Sequence, residues 1–461
     1  MKIVVLNGSP KGDLSITLQY VLLIRKKSPE HQFKIFNIAQ EIRKLEKDES
    51  AFREVIDEIR SSDGVLWSFP LYFLLVHSHY KRFIELVFER GAGDAFRKKH
   101  AASLSTSIHF FDHTAHNYIN AVCDDLDMRY VGAFSPHYHD MVKEEERERL
   151  VLFARHFFRA METDAPTQKS FAPLLRSGFE YQPGPAQVPV PVGDKKVVIL
   201  TDCEKGQVNL ERMVERVRQS FAGQAEVVNL HDVDIKGGCL GCLQCAYDSR
   251  CAYGGKDGYR EFFNAKVRTA DVLIMAGAIK DRYLSSRWKL FFDRSFFNTH
   301  IPVLMGKQVG FVISGPLRQV PNLREILEGW GEGQQAGVVG FVTDECEDSA
   351  ELDAILQRLA EQLVQFAVEG YKKPATYLSV GGRKIFRDEI WGGLRVVFQA
   401  DHRFYARHGL YDFPQKKYKT RAVVAMMMLL TKIPKFREEF RRRTKAEMVK
   451  PYQKLVESLG P

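Results

Sequence analysis

The feature that most restricts this chain is a plan written twice. Lys2-Ile-Val-Val-Leu6 is an apolar run that enters a turn and then a helical stretch, and Lys196-Val-Val-Ile-Leu200 repeats it. Ser62-Asp-Gly-Val-Leu-Trp-Ser-Phe-Pro70 is matched by Ala270-Asp-Val-Leu-Ile-Met-Ala-Gly-Ala278, and Tyr80-Lys-Arg-Phe83 by Trp288-Lys-Leu-Phe291. Ala101–Thr106 matches Val309–Ser314, and Val131-Gly132 matches Val339-Gly340. Leu6 to Leu200 is an offset of 194, whereas Lys81 to Lys289 and Thr106 to Ser314 are both 208. The second copy therefore carries 14 extra residues between its first turn and its third strand. Apolar runs alternating with helical stretches predict an α/β fold of two tandem, doubly wound parallel sheets, with ligands at the carboxyl ends of the strands.

Between the copies, residues 163–194 hold six of the chain's 18 prolines, a composition that breaks helices and suits an extended linker. The expected division is 1–162, a linker 163–194, 195–370, and a helical basic segment 371–461. That last segment has 21 Lys+Arg against 8 Asp+Glu. The chain's net charge of +9 is thus concentrated at one end, and any acidic partner belongs there. The simplest expectation is helices packed across the copies with a solvated basic face. A docking surface for an acidic electron carrier such as ferredoxin is the second reading. Membrane-surface contact through Ala422–Leu430 and Lys432–Arg443 is the third. Nucleic-acid binding has no motif behind it. No apolar run approaches the ~20 residues needed to cross a bilayer. MKIVVLNGSPKG goes from its apolar run straight into a glycine turn, as a first strand does and a signal peptide does not. Seven cysteines make a poor disulfide framework for 461 residues and suit a reducing cytoplasm.

Four of the seven, Cys239, Cys242, Cys245 and Cys251, fall inside the region of the insertion with spacing C-x2-C-x2-C-x5-C. Zinc sites pair two knuckles across a long gap, whereas a compact triple with a fourth cysteine close behind suits a [4Fe–4S] cluster. Zinc and a metal-free loop stay open as alternatives. Gly237, Gly238 and Gly241 let such a loop wrap tightly. Histidines at His109, His113 and His116 would share one face if helical, either as a metal site or as polar lining near a third loop. The pairs His77/His79 and His137/His139 need no more than a strand face or a loop.

The turn Asn7-Gly-Ser-Pro-Lys-Gly-Asp-Leu-Ser-Ile-Thr17 follows a strand and opens a helix, offering hydroxyls, a lysine and helix-start amides to an anion. A capped helix start with no ligand uses the same residues. Two further turns, Phe69-Pro-Leu-Tyr-Phe73 and Ser105-Thr-Ser-Ile-His109, should converge on the same sheet edge. On "GSPKGDLSIT" and "PLYF" the chain resembles the flavodoxin-like NAD(P)H-dependent FMN reductases, over residues 1–160 and more weakly over 195–345. The resemblance implies that Ser9, Lys11, Ser15, Ile16 and Thr17 hold the flavin phosphate. It also implies that Pro70, Leu71, Tyr72 and Phe73 flank the isoalloxazine, and that Ser105, Thr106 and His109 follow by position. The cysteine run resembles that of the iron–sulfur flavoproteins, in which each cluster lies near the flavin of a partner subunit.

In the second copy Gly8, Ser9, Pro10 and Thr17 become Asp202, Cys203, Glu204 and Glu211, and carboxylates aimed at a phosphate site would repel it. The expectation is FMN on the first copy and a [4Fe–4S] cluster on the second, facing each other in an intrachain pseudo-dimer that could associate further. Such a chain would be an oxidoreductase passing electrons between NAD(P)H or ferredoxin and an acceptor, with no catalytic side-chain nucleophile. The alternatives are an NAD(P)H-dependent FMN or quinone reductase with a structural cysteine loop, and a non-enzymatic zinc-stapled scaffold.

Overall fold

Strands buried on both faces need uninterrupted apolar sequence, and that is where this chain places them. Ile3, Val4, Val5 and Leu6 are wholly buried in β1 (Lys2–Asn7), as are Val198, Ile199 and Leu200 in β6 (Val197–Thr201). The structure is a computed structural model and describes residues 1–185, 188–412 and 417–459. Residues 186–187 of the proline-rich stretch and 413–416 near the C-terminus lie outside the described residues.

The first half adds β2 (Gln32–Phe36), β3 (Gly64–Pro70), β4 (His100–Thr106) and β5 (Arg129–Phe134) in the order β2-β1-β3-β4-β5. The second adds β7 (Glu226–Asn229), β8 (Val272–Ala278), β9 (Gln308–Ser314) and β10 (Gly337–Thr343), in the order β7-β6-β8-β9-β10. Every pairing is parallel. The two halves thus share one doubly wound topology with helices on both faces of each sheet. Their outer faces pack separate apolar clusters. Their inner faces share a single core, in which Tyr80, Phe83 and Tyr118 of the first half join Tyr283, Trp288 and Phe291 of the second.

The seam is reciprocal. The backbone N–H of Ser78, opening the helix Ser78–Glu89, donates to Asp293 Oδ2 at 2.7 Å. The N–H of Ser286, opening the helix Ser286–Arg294, donates to Glu85 Oε1 at 2.6 Å. Each carboxylate also pairs with a lysine one turn back on its own helix, Lys81–Glu85 at 2.7 Å and Lys289–Asp293. Both lysines are fully buried. Ser78, Lys81 and Glu85 lie 208 positions before Ser286, Lys289 and Asp293, so the contact has the form of an isologous dimer interface.

The described part of 163–194 forms neither helix nor strand, but it is not slack. Ser170 and Phe171 amides donate to Asp124, Arg176 donates to the carbonyls of Ile279 and Lys280, and buried Tyr181 donates to Asp353. The stretch is a strap bolted to both halves. Met1–Phe404 make one unit, which takes in the helix Tyr377–Trp391. Tyr405–Pro461 make a second unit with helices Tyr418–Leu430 and Pro434–Ser458. Of the basic segment 371–461, where packed helices with a solvated basic face were expected, the helix Tyr377–Trp391 is packed, whereas in Tyr418–Leu430 none of the residues is buried. Among the described residues no helix is long and apolar enough to cross a membrane.

Candidate functional site

The first turn is built by its own side chains. Asn7 Oδ1 accepts from the Ser9 amide at 3.2 Å, and Asn7 Nδ2 donates to Gly12 O at 3.2 Å and Asn37 Oδ1 at 2.8 Å. Ser9 Oγ accepts from the Lys11 amide. Gly8 has no alternative, because a Cβ there would lie 2.7 Å from the Tyr80 ring. Ser15 caps the helix Ile16–Lys27 by accepting from Leu18 N, leaving the first-turn amides of Ile16 and Thr17 free, as helix starts do. Lys11 has no ion-pair partner among the described residues. Thr17 Oγ1 meets Thr106 Oγ1 at 2.6 Å, which fastens the first turn to the third.

The second turn is strained. Tyr72 and Leu75 exchange backbone hydrogen bonds at 2.8 and 3.0 Å around Phe73 (φ 35°) and Leu74 (φ 63°). Such hairpin turns normally carry Asn or Gly, and a left-handed residue with a Cβ costs roughly 1–2 kcal/mol. Burial holds the turn: Leu74 sits in the core, and Phe73 meets the Phe296 ring edge-on at 5.9 Å. Pro70 closes β3 and Leu71 N donates to Thr106 O, so this turn also joins the third.

In the third turn Ser105 Oγ bonds His116 Nε2 at 2.8 Å and Ser135 Oγ at 3.0 Å, while His116 Nδ1 bonds Ser103 Oγ at 2.7 Å. Burial pushes His116 down to about 4, so the ring is neutral. His109, at φ 63°, precedes the helix Asp112–Asp125 and bonds Asp112 Oδ2 at 3.0 Å. Burial works to raise Asp112, but hydrogen bonds from His109 and Ser135 outweigh it and hold the carboxyl low. The expected single face of three histidines is not formed. His109 lies outside the helix, exposed His113 reaches Glu325 at 2.9 Å, and His116 turns into the core. The helix Tyr377–Trp391 packs on this turn, with Phe386 against Phe110 and Glu389 3.5 Å from His137.

Against these loops of the first half lies the cysteine loop of the second. Gly241, at φ +63°, is so close that a Cβ would fall 2.2 Å from Tyr72 Oη and 2.8 Å from Lys11 Cε. At Gly238 a Cβ would fall within 2.9 Å of His77, Ser78 and His79. His77 Nδ1 accepts from the His79 amide, so its Nε2–H donates to Cys239 O at 2.9 Å. His79 Nε2 accepts from the Gly238 amide at 2.9 Å, so its Nδ1–H donates to Ala39 O. Burial lowers both histidines, which suits the neutral tautomers this pattern requires. These two histidines were read in the sequence as a plain strand face or loop. They are instead the clasp between the halves. Arg294, paired with Asp257 and stacked on Tyr253, donates to Gly237 O and fixes the loop's base.

Cys239, Cys242, Cys245 and Cys251 line one small cavity with Leu240, Phe296 and Phe297. All are free thiols, and burial pushes Cys239 and Cys245 up to about 12. No group of three or more His, Cys, Asp or Glu residues is arranged to hold a metal ion among the described residues. The donor set of the first half fits a flavin mononucleotide. Free helix-start amides, serine and threonine hydroxyls and an unpaired lysine suit a phosphate ester, and Tyr72 with the strained turn gives an aromatic-edged wall beside it.

The second half departs from expectation. Asp202 and Glu204 do not converge on a phosphate position. Asp202 turns inward to accept from Ser285 Oγ, burial raising it to about 6, and Glu204 pairs with Lys280 at 2.6 Å. A cavity of about 720 Å³ remains at the carboxyl edge of β8 and β9, with Arg176, Phe179 and Glu180 of the strap along its wall.

Residues 1–138 match the family of NADPH-dependent FMN reductases. No curated protein matches the chain. Among solved structures it is similar to FerB, a flavoenzyme NAD(P)H:(acceptor) oxidoreductase from Paracoccus denitrificans. Identity there is 18%, over 35% of this chain and 97% of that one, with a TM-score of 0.28. General stress protein 14 of Treponema denticola, solved with FMN, is 14% identical over 35% of this chain and 98% of that one, TM-score 0.27. An NADH:FMN oxidoreductase, EMOB, solved in its apo form, is 17% identical over 34% and 89%, TM-score 0.30.

Proposed function

Because residues 1–138 match the family of NADPH-dependent FMN reductases, we propose that the chain is a flavin- and iron–sulfur-dependent oxidoreductase. Electrons pass between a reduced donor, NAD(P)H or ferredoxin, and an acceptor. FMN is held by Ser9, Lys11, Ser15, Ile16, Thr17, Pro70–Phe73, Ser105, Thr106 and His109, and a [4Fe–4S] cluster by Cys239, Cys242, Cys245 and Cys251. Flavin supplies one- or two-electron chemistry and the cluster one-electron chemistry. The observation that supports this reading is the contact at Gly241, where the cysteine loop lies on Tyr72 and Lys11 with no room for a methyl group.

The chain's own residues then have distinct tasks. Lys11 and the Ile16 and Thr17 amides neutralise a phosphate. Tyr72 stands between the flavin turn and the thiol loop, and burial raises its hydroxyl well above the usual range, so it stays protonated. His77 and His79 hold the loop by backbone contacts and carry no charge. His109, half exposed at 48%, is held beside the third turn by its bond to Asp112. A reducing cytoplasm suits the four free thiols.

Protein purified without oxygen tests this by its flavin content and its iron and acid-labile sulfide. FMN with about four iron atoms per chain is expected. FMN without iron favours the FMN or quinone reductase with a structural loop, and zinc without flavin favours the scaffold. Addition of NADH, NADPH and reduced ferredoxin in turn, followed by flavin bleaching, names the donor.

A further inference from the structure

The second unit concentrates the chain's positive charge beside a run of exposed apolar side chains. Residues 405–461 hold 14 Lys+Arg against 5 Asp+Glu, a net +9, while the other 404 residues are neutral overall. Within that unit the helix Tyr418–Leu430 contains the run Ala422-Val-Val-Ala-Met-Met-Met-Leu-Leu430. Val423, Val424, Met426, Met428 and Leu429 are each half to two-thirds exposed. Lys417, Lys419 and Arg421 precede the run, and Lys432, Lys435 and Arg437 follow it.

A helix that is apolar all round is normally buried on every side. Here it is in water, and its coverer must satisfy both its apolarity and the cations at its two ends. A second copy of the segment would bring another +9 against the first. An acidic protein laid on one face would pair the cations but leave the opposite apolar face wet. An anionic lipid surface meets both demands, since acyl chains at the interface receive the exposed apolar side chains and headgroups meet the flanking lysines and arginines. The helix is about 20 Å long against a hydrocarbon core of about 30 Å, so it enters the interface and does not span. We propose that residues 405–461 dock this protein on anionic membrane surfaces by shallow insertion of Ala422–Leu430 between two basic flanks.

Flotation of the full-length protein with vesicles tests the proposal. Vesicles of phosphatidylglycerol with phosphatidylcholine should carry the protein at about 0.1 M salt, and vesicles of phosphatidylcholine alone should not. Raising salt to about 1 M, which cuts the screening length from about 10 Å to about 3 Å, should weaken binding roughly tenfold or more. Met426→Glu with Leu429→Glu changes only exposed side chains and should abolish flotation without lowering the melting temperature. Lys417→Gln, Lys419→Gln, Lys432→Gln and Lys435→Gln together should remove its salt dependence along with most of the binding. Failure to float on anionic vesicles at low salt overturns the proposal, as does flotation unchanged in the two glutamate substitutions. Binding to a reduced acidic carrier in place of vesicles would assign the surface to a protein. None of these readouts depends on flavin or iron content.

Discussion

Gly241 carries more of the site's design than any other single residue. Its positive φ disfavours a side chain by roughly 1–2 kcal/mol, and the space its Cβ would take is already occupied by Tyr72 and Lys11. Gly241→Ala should therefore destabilise the protein by about 2–4 kcal/mol and weaken flavin binding, measured by thermal melting and flavin titration. Adding Tyr72→Phe removes the nearest clashing atom and should restore part of the loss; no recovery would mean that the backbone conformation alone is at stake. Asp202 gives a pH-dependent case. Burial raises its folded pKa to about 6, above the 3.8 usual for an aspartate, so the native state binds more protons than the unfolded state between those values. Stability contributed by this carboxyl therefore falls as pH rises through that window and stays low above it. Asp202→Asn should be more stable than the parent at pH 7–8, on the order of 2 kcal/mol, with the difference shrinking towards pH 4. Denaturant melts across pH read this directly, and an unchanged gap would show that Asp202 is not held protonated by burial.

At the scale of elements, the seam between the Ser78 and Ser286 helices rests on two carboxylates that each serve a lysine and a helix-start amide. Asp293→Ala would strand buried Lys289 and leave the Ser78 amide without its acceptor. About 3–5 kcal/mol should be lost in chemical denaturation, whereas Lys289→Met combined with Asp293→Leu should recover only the part due to the stranded lysine, since the Ser78 amide still lacks its acceptor. The sequence displayed these helices as matched motifs, Tyr80-Lys-Arg-Phe and Trp288-Lys-Leu-Phe, because the repeat is local. It did not display their ion pairs as a seam, which depend on two segments 208 positions apart meeting. The strands, the three turns and the thiol loop were legible for the same local reason: apolar runs, glycines and cysteine spacing act over a few residues. His77 and His79 were not, since their partners lie about 160 positions away in Gly238 and Cys239. Nor could composition foretell that Asp202 turns towards Ser285, because the direction of a carboxylate follows from the packing around it.

At the scale of the molecule, one apolar core spans both halves, and the strap binds to each at several points. A protease site introduced at exposed Gly178, where a Cβ would meet nothing, should yield two fragments that still elute as one particle. Separate elution under native conditions would show that the covalent link, not the core, holds them. The strap has a further consequence for how the protein behaves when scarce. Two loose chains would drift apart on dilution and part the thiol loop from the phosphate turn. Tethered as they are, each turn keeps its loop at any concentration, and turnover per molecule should be the same in a crowded cell and in a nanomolar assay.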